Sequence, residues 1–221
     1  MVDFEQAREN MVDCQVRTSD VTQHQLIAAM LSVPREAFVS QNKKPFAYID
    51  EDLSLSGLTN EKRYLMQAAS FAKLVQAAKI DDDDVALIVG TASGYSSAVF
   101  SLLCNSVVAI EQDKALAEYA STTLSELGYV NVAVLQSELS KGYPSEAPYD
   151  VILIEGAIER LPETILEQLA EGGRLVCVEG QGNAALAKLY IKKDGLISDR
   201  EIANSSVKPL PGFEKEKEFT F

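Results

Sequence analysis

Short apolar runs recur through the second half of the chain: VALIV at 85–89, SVVAI at 106–110, VNVAVL at 130–135, YDVILIE at 149–155 and GGRLVCVE at 172–179. Strands that stay apolar at consecutive positions are covered on both faces, which is the condition inside a parallel sheet. Helical patterns lie between them. One opens near Gly94 and runs to Cys104, one occupies KALAEYASTTLSEL and stops at Gly128, and one occupies LPETILEQLAE, where Pro162 suits a first turn. Strands and helices in alternation with short links predict an α/β fold, doubly wound about a mostly parallel sheet. The stretch ALAKLYIKKDGLISDREIA alternates on either side of Asp194-Gly195, a pairing that predicts an antiparallel hairpin closing the sheet. The tail EKEKEFTF reads as a charged edge strand or a loosely held end.

The first 80 residues are different in kind. Asp3 is placed to cap a helix through FEQARENMVDCQV, and Thr22 or Asp20 to cap a second, in which Leu26, Ile27, Met30 and Leu31 share a face. The second helix should end near Pro34. AYIDEDLSLSG suits a short extended piece. EKRYLMQAASFAKLVQAAK reads as a third helix with an apolar stripe of Tyr64, Leu65, Ala68, Phe71, Ala72 and Val75. The run DDDD at 81–84 reads as a solvated turn. One domain over 1–221 is expected, with a helical segment over 1–80 and the sheet-bearing core over 81–221.

Composition narrows the partners. The 33 Asp and Glu outnumber the 20 Lys and Arg, for a net charge of −13, so the surface repels phosphate backbones and anionic lipid, and neither nucleic acid nor membrane is an expected partner. Cys14, Cys104 and Cys177 are odd in number and far apart, and read as buried free thiols of a reducing compartment without metal spacing. No apolar run has the length to span a bilayer, and the N-terminus lacks the apolar core of a signal peptide, so the cytoplasm is the expected location. His24 is the only histidine, which excludes a cluster or triad built on several; it reads as a helix-surface residue. The serines of GYSSA lack the spacing of a nucleophile elbow.

The first convincing strand runs into VGTASGYSSAV, with Gly90 and Gly94. Glycines after such a strand let the backbone turn tightly against a ligand, and the next helix presents free amides. The spacing is not G-x-G-x-x-G, and taken alone the turn fits a structural role as well as a cofactor role. Glu111 ends the second strand, 21 residues after Gly90, where a carboxylate accepts hydrogen bonds from ribose hydroxyls or simply faces a helix start.

VGTASGYSSAV followed by AIEQDKALAEYA resembles the class I S-adenosylmethionine-dependent methyltransferases. AAMLSVPREAFV, AYIDEDLSL, GYPSEAPYDVILIEGAI, LPETILEQLAEGGRLVCVEG and VKPLPGF resemble, in the same order, segments of the protein-L-isoaspartate O-methyltransferase family. The resemblance implies a Rossmann-like methyltransferase fold whose glycine turn cradles S-adenosylmethionine. On this match the cofactor-binding positions are Gly90, Thr91, Ala92, Gly94, Glu111 and Ser137, with Ser93 completing the turn. It also implies a protein or peptide substrate bearing isoaspartyl residues. The family esterifies their side-chain carboxylates, and the ester collapses to a succinimide that opens partly to normal aspartate.

The sequence departs from that family at functional positions. Ile88 stands where the family has a strand-end acid, Ala92 where it has a middle glycine, and Ser137 where it has an aspartate near adenine. RYLMQAA replaces its T-I-S-x-P segment, with Met66 and Ala68 at the serine and proline places; Arg63 and Tyr64 are substitutes to consider, and no catalytic residue is assigned. Two missing carboxylates remove charge-assisted hydrogen bonds of about 1.5–3 kcal/mol each, together roughly a hundredfold or more in affinity. Ala92→Gly and Ser137→Asp are therefore expected to strengthen cofactor binding. A second reading keeps the fold as a binding or interaction module without catalysis. A third, a nicotinamide-binding Rossmann protein, conflicts with the glycine spacing.

Overall fold

The computed structural model describes residues 2–215. Helix α1 (Phe4–Met11) begins at Asp3, whose Oδ1 accepts from the Gln6 amide at 3.1 Å, as the sequence suggests. The coil runs on through wider and tighter turns to Ser19 and ends at Asp20, with φ 64°. Helix α2 (His24–Ser32) is not capped by Thr22 or Asp20. The Gln76 side chain supplies that function from a distant helix, its Oε1 accepting from the Thr22 and Gln23 amides at 2.6 and 3.1 Å. Leu26, Ile27 and Met30 are buried on one face, and α2 stops two residues before Pro34.

Two short strands, β1 (Leu53–Ser54) and β2 (Tyr64–Leu65), pair antiparallel. This corrects the long third helix. Pairing with Leu53 and Ser54 draws Leu65 and Tyr64 into extended backbone, and helix α3 (Ala68–Ala78) starts only afterwards. Ala68, Phe71, Ala72 and Val75 remain its buried stripe.

The main sheet then builds as anticipated. In chain order come β3 (Val85–Val89), α4 (Tyr95–Ser101), β4 (Ser106–Glu111), α5 (Lys114–Glu126), β5 (Val132–Gln136), β6 (Tyr149–Ile158), α6 (Glu163–Leu166), β7 (Leu169–Glu179), β8 (Leu186–Lys193) and β9 (Leu196–Asn204). The strand order is β5-β4-β3-β6-β7-β8-β9. Pairs are parallel from β5 to β7 and antiparallel from β7 to β9. Asp194 and Gly195 have φ of 52° and 74°, the left-handed pair that a tight hairpin turn requires. Helix α6 is a single turn, not the longer helix that LPETILEQLAE suggests. Leu169 pairs with Tyr149, and the register slips before Arg174 pairs with Val151, so the rest of that segment joins β7.

Consecutive residues of the central strands enter opposite apolar clusters. Ala86 and Ile88 pack with α3, α4 and α5, whereas Leu87, Val89, Ile110 and Ile154 pack with Ile165, Leu139, Leu210 and Phe213. Coverage of both faces is what the unbroken apolar runs encode.

Asp81, Asp82 and Asp83 are exposed, but Asp84 is buried. Its carboxylate takes Arg174 Nη2 at 2.6 Å and the Asp81 amide at 2.8 Å, so the acidic run is a solvated turn only in its first three residues. All three cysteines are free, and Cys104 and Cys177 are buried; Cys14 is exposed on the turn after α1, against the expectation of burial. His24 is exposed at the start of α2. No helix among the described residues is long and apolar enough to cross a membrane. The tail reading falls outside the described residues from position 216.

Candidate functional site

The carboxyl ends of β3, β4 and β6 meet where connections leave in opposite directions along the sheet, the place where open α/β sheets bind ligands. The turn from β3 to α4 is held to β4 by Gly90 and Thr91 amides donating to Ile110 O at 2.9 and 3.1 Å. Gly90 has φ 82° and Gly94 φ 98°. A Cβ on Gly94 would lie 3.1 Å from Ala120 Cβ, so this glycine serves close packing of the turn against α5. Ala92 also sits in the left-handed region at φ 52°, a conformation costing a residue with a Cβ about 1–2 kcal/mol. Thr91 Oγ1 and Ser97 Oγ share a hydrogen bond of 2.6 Å.

Glu111 organises this turn. Its Oε2 accepts from the Ala92 amide at 2.9 Å, and its Oε1 from the Gln112 and Asp113 amides at 2.9 and 3.0 Å. Ser137, at the end of β5, donates its amide to Glu111 O at 3.0 Å and is half-buried at the rim. The structure therefore brings together Gly90, Thr91, Ala92, Gly94 and Glu111, with Ser137 beside them.

It also brings in Arg63, whose place here the sequence does not reveal. Arg63 Nη1 lies 2.5 Å from Glu111 Oε1, and Nη2 donates to Gly90 O at 3.1 Å. The two side chains are 3% and 0% exposed. On the other side of Gly90 lies Leu210. The segment 207–213 crosses the sheet edge, with the Ala157 amide donating to Lys208 O at 3.0 Å and the Leu210 amide to Ala157 O at 2.8 Å. A Cβ on Gly90 would meet Leu210 Cδ1 at 2.7 Å and Arg63 Nη2 at 3.3 Å. The close approach that glycine permits here is used by the protein's own side chains.

Glu155 is a second residue that periodicity alone does not assign. The β6–β7 register slips between Leu153 and Ala157, leaving Glu155 and Gly156 outside the ladder and facing the site. Ser96 Oγ hydrogen-bonds Glu155 Oε2. Burial raises the Glu155 carboxyl to about 8, against the opposing pull of the Ser96 hydrogen bond and of Arg63 and Arg35. A carboxylate inside the apolar run VILIEGAI is the signal that points to it. Arg35, also buried, places its guanidinium 4.7 Å above the Tyr95 ring and donates to Ala47 O and Met66 O at 2.8 and 2.7 Å. Met66 and Ala68, at the positions of the family's serine and proline, are buried and offer no side-chain hydrogen bond donor.

The residues present do not fit S-adenosylmethionine in this conformation. Drug-sized ligands occupy roughly 300–1,000 Å³. The cavity bounded by Arg63, Glu155, Gly156 and Leu210 is about 10 Å³, room for one water. A carboxylate offers about four acceptor sites, and Glu111 already accepts four hydrogen bonds, one from a guanidinium. A ribose hydroxyl has no place on it until Arg63 leaves. A groove of about 330 Å³ does open on the far side of Arg63, along Glu61, Gln112, Asp113 and Pro211; none of the six positions expected to bind the cofactor lines it.

Comparison with known proteins identifies the family of the chain. The family model described as Protein-L-isoaspartate(D-aspartate) O-methyltransferase matches residues 6–214. A protein-L-isoaspartate O-methyltransferase of Opitutus terrae is 38% identical over 190 residues, covering 85% of this chain and 79% of its own. One from Koribacter versatilis is 35% identical over 208 residues, covering 93% and 90%. A solved protein-L-isoaspartate O-methyltransferase superposes with a TM-score of 0.81 at 25% identity, over 93% of this chain and 66% of that one. A Plasmodium falciparum structure described as a beta-aspartate methyltransferase in complex with S-adenosyl-L-homocysteine superposes at 0.77 and 17% identity, over 95% and 99%, and shows the shared fold. The chain belongs to the protein-L-isoaspartate(D-aspartate) O-methyltransferase family, whose methyl donor is S-adenosylmethionine and whose activity is carboxyl methylation of isoaspartyl proteins.

Proposed function

We propose that this chain methylates isoaspartyl carboxylates in damaged cytoplasmic proteins, a repair activity. Its cofactor subsite is the β3–α4 turn with Gly90, Thr91, Ala92, Gly94, Glu111 and Ser137. The observation that carries this reading is Glu111: a carboxylate at the end of β4, preorganised by three backbone amides beside a glycine turn. Residues 1–80 and 81–221 form one functional unit in this proposal, the first covering the edge of the site that the second builds. Carboxyl methylation asks little acid–base help, because the acceptor is already a nucleophile at neutral pH; alignment and exclusion of water carry most of the rate. The loss of the serine motif at Met66 and Ala68 is compatible with activity on that ground.

The buried Arg63–Glu111 pair favours a second reading, in which the fold persists as a binding module without methyl transfer. A single assay separates them. The purified chain is incubated with methyl-labelled S-adenosylmethionine and an isoaspartyl peptide, beside the same peptide carrying aspartate. Base-labile label on the isoaspartyl peptide alone supports the first reading. No label at millimolar cofactor, with binding of that cofactor demonstrated separately, supports the second.

A further inference from the structure

We propose that the tip of the β1–β2 hairpin is a lid seated on the nucleoside subsite, and that Arg63 and the cofactor compete for Glu111. This rests on the reading of the β3–α4 turn as the cofactor subsite. Two side chains of the 56–63 connection dock on Glu111 and Asp113 of the β4–α5 junction, Thr59 from its tip and Arg63 from its foot, where the Leu55 amide donates to Arg63 O at 3.0 Å. Arg63 takes Glu111, and Thr59 Oγ1 hydrogen-bonds Asp113, the residue that caps α5. A cation and a hydroxyl thus occupy carboxylates that face a ligand site in the fold's general plan.

Besides these two contacts the lid is held by Leu58, which packs against the main core, and by Ser40 Oγ, which donates to Ser56 O at 3.3 Å. Ser56, Gly57, Asn60, Glu61 and Lys62 are exposed, Leu58 and Thr59 are half-buried, and Arg63 is buried. A segment with few buried contacts opens at low cost relative to the core it covers. The base is firmer, since Leu53, Leu55 and Leu65 are buried in the main core. Arg63 is also the wall shared by the 10 Å³ inner cavity and the 330 Å³ outer groove. Withdrawing that one side chain joins the two spaces and frees Glu111 together. Leu210, on the strap 207–213, is the remaining side chain over Gly90.

Calorimetric titration with S-adenosylhomocysteine tests the lid on the full chain and on Arg63→Met, Thr59→Val and Leu210→Ala variants. Freeing a charge-assisted hydrogen-bonding site should tighten binding of Arg63→Met by roughly tenfold or more over the natural chain. Thr59→Val, which loosens the lid and leaves the Arg63 pair intact, should tighten it less. Equal affinity of the natural chain and all folded variants overturns the lid. Absence of binding by every variant, Leu210→Ala included, overturns both the lid and the cofactor reading. Tightening without methylation of an isoaspartyl peptide leaves the lid standing and removes the reaction. Should Arg63→Met fail to fold, as judged by circular dichroism, the Thr59→Val and Leu210→Ala comparison decides the matter alone.

Discussion

Arg63 and Glu111 meet at 2.5 Å at the carboxyl edge of the sheet, 48 residues apart in the chain, and both side chains are buried. The relationship places a guanidinium on the carboxylate proposed to receive the cofactor's ribose. It joins the N-terminal segment to the sheet and fills the space beside Gly90.

Removing one partner of a buried pair leaves the other charge unpaired, at a cost of about 3–5 kcal/mol. Arg63→Met should fall near the lower end, because Glu111 keeps three amide donors. Adding Glu111→Gln in the same background should recover part of that loss. Urea unfolding of the natural chain, both single variants and the double variant gives the coupling directly. Additive costs would show that the pair does not act as a unit.

Glu155 makes stability depend on pH. The folded chain holds this carboxyl proton up to about 8, whereas the unfolded chain releases it near 4.5. Stability contributed by the protonated form is complete below 4.5 and falls as pH rises towards 8, by about 1.4 kcal/mol per pH unit. Glu155→Gln removes that slope. The variant should gain on the natural chain steadily between pH 5 and 8 and show little advantage at pH 4.5, as measured by urea midpoints. A difference that stays constant across that range contradicts the assignment.

Ala92→Gly bears on what fills the site. Relief of the left-handed strain at φ 52° is offset by the loss of one buried methyl and by glycine's chain entropy, so stability should change by no more than about 1 kcal/mol. The sequence alone suggests that Ala92→Gly and Ser137→Asp strengthen cofactor binding. The structure changes that expectation, because Arg63 and Leu210, not the Ala92 methyl, cover Gly90. The gain should appear in an Arg63→Met background and be small without it, by calorimetric titration with S-adenosylhomocysteine. A full gain in the natural background would place the obstruction at Ala92 instead.

Arg174 ties the sheet to the acidic run. It donates to Ala78 O and Lys79 O at 2.9 and 2.7 Å and to Asp84 at 2.6 Å, closing the C-terminus of α3 onto the start of β3. Arg174→Ala should cost about 2–4 kcal/mol, summing a charge-assisted pair and orphaned carbonyls, and Arg174→Lys should restore less than half because one ammonium cannot span acceptors on Ala78, Lys79, Asp84 and Asp150. Thermal unfolding of the three proteins measures both. An Arg174→Ala midpoint equal to that of the natural chain would remove this role.

The legible parts of the fold are those set by local pattern. Consecutive apolar positions at 85–89 and 149–155 encode two-sided burial, and Asp194-Gly195 encodes a turn that both residues can adopt. The misread parts depend on pairing. Tyr64-Leu65 carries helical spacing but is extended because Leu53 and Ser54 lie opposite, and Leu169 joins β7 because it pairs with Tyr149 of β6. Gly90 and Glu111 are legible as a site because the turn and strand end are local. Arg63 is legible only as a substitute to consider for the missing serine motif; its pairing with Glu111 is not, since that is a contact across 48 residues. The departures Ile88 and Ala92 are visible in the sequence. Their tolerance becomes clear only when Ile88 is seen in the core and the Ala92 amide on Glu111.

The most direct test is a crystal structure of the Arg63→Met variant grown with S-adenosylhomocysteine. A displaced hairpin tip, with a ribose hydroxyl of the ligand on Glu111 and its chain along Gly90, is the result predicted. A ligand-free site in which the tip stays seated and Glu111 turns to another protein donor would contradict the claim that Arg63 keeps this subsite closed.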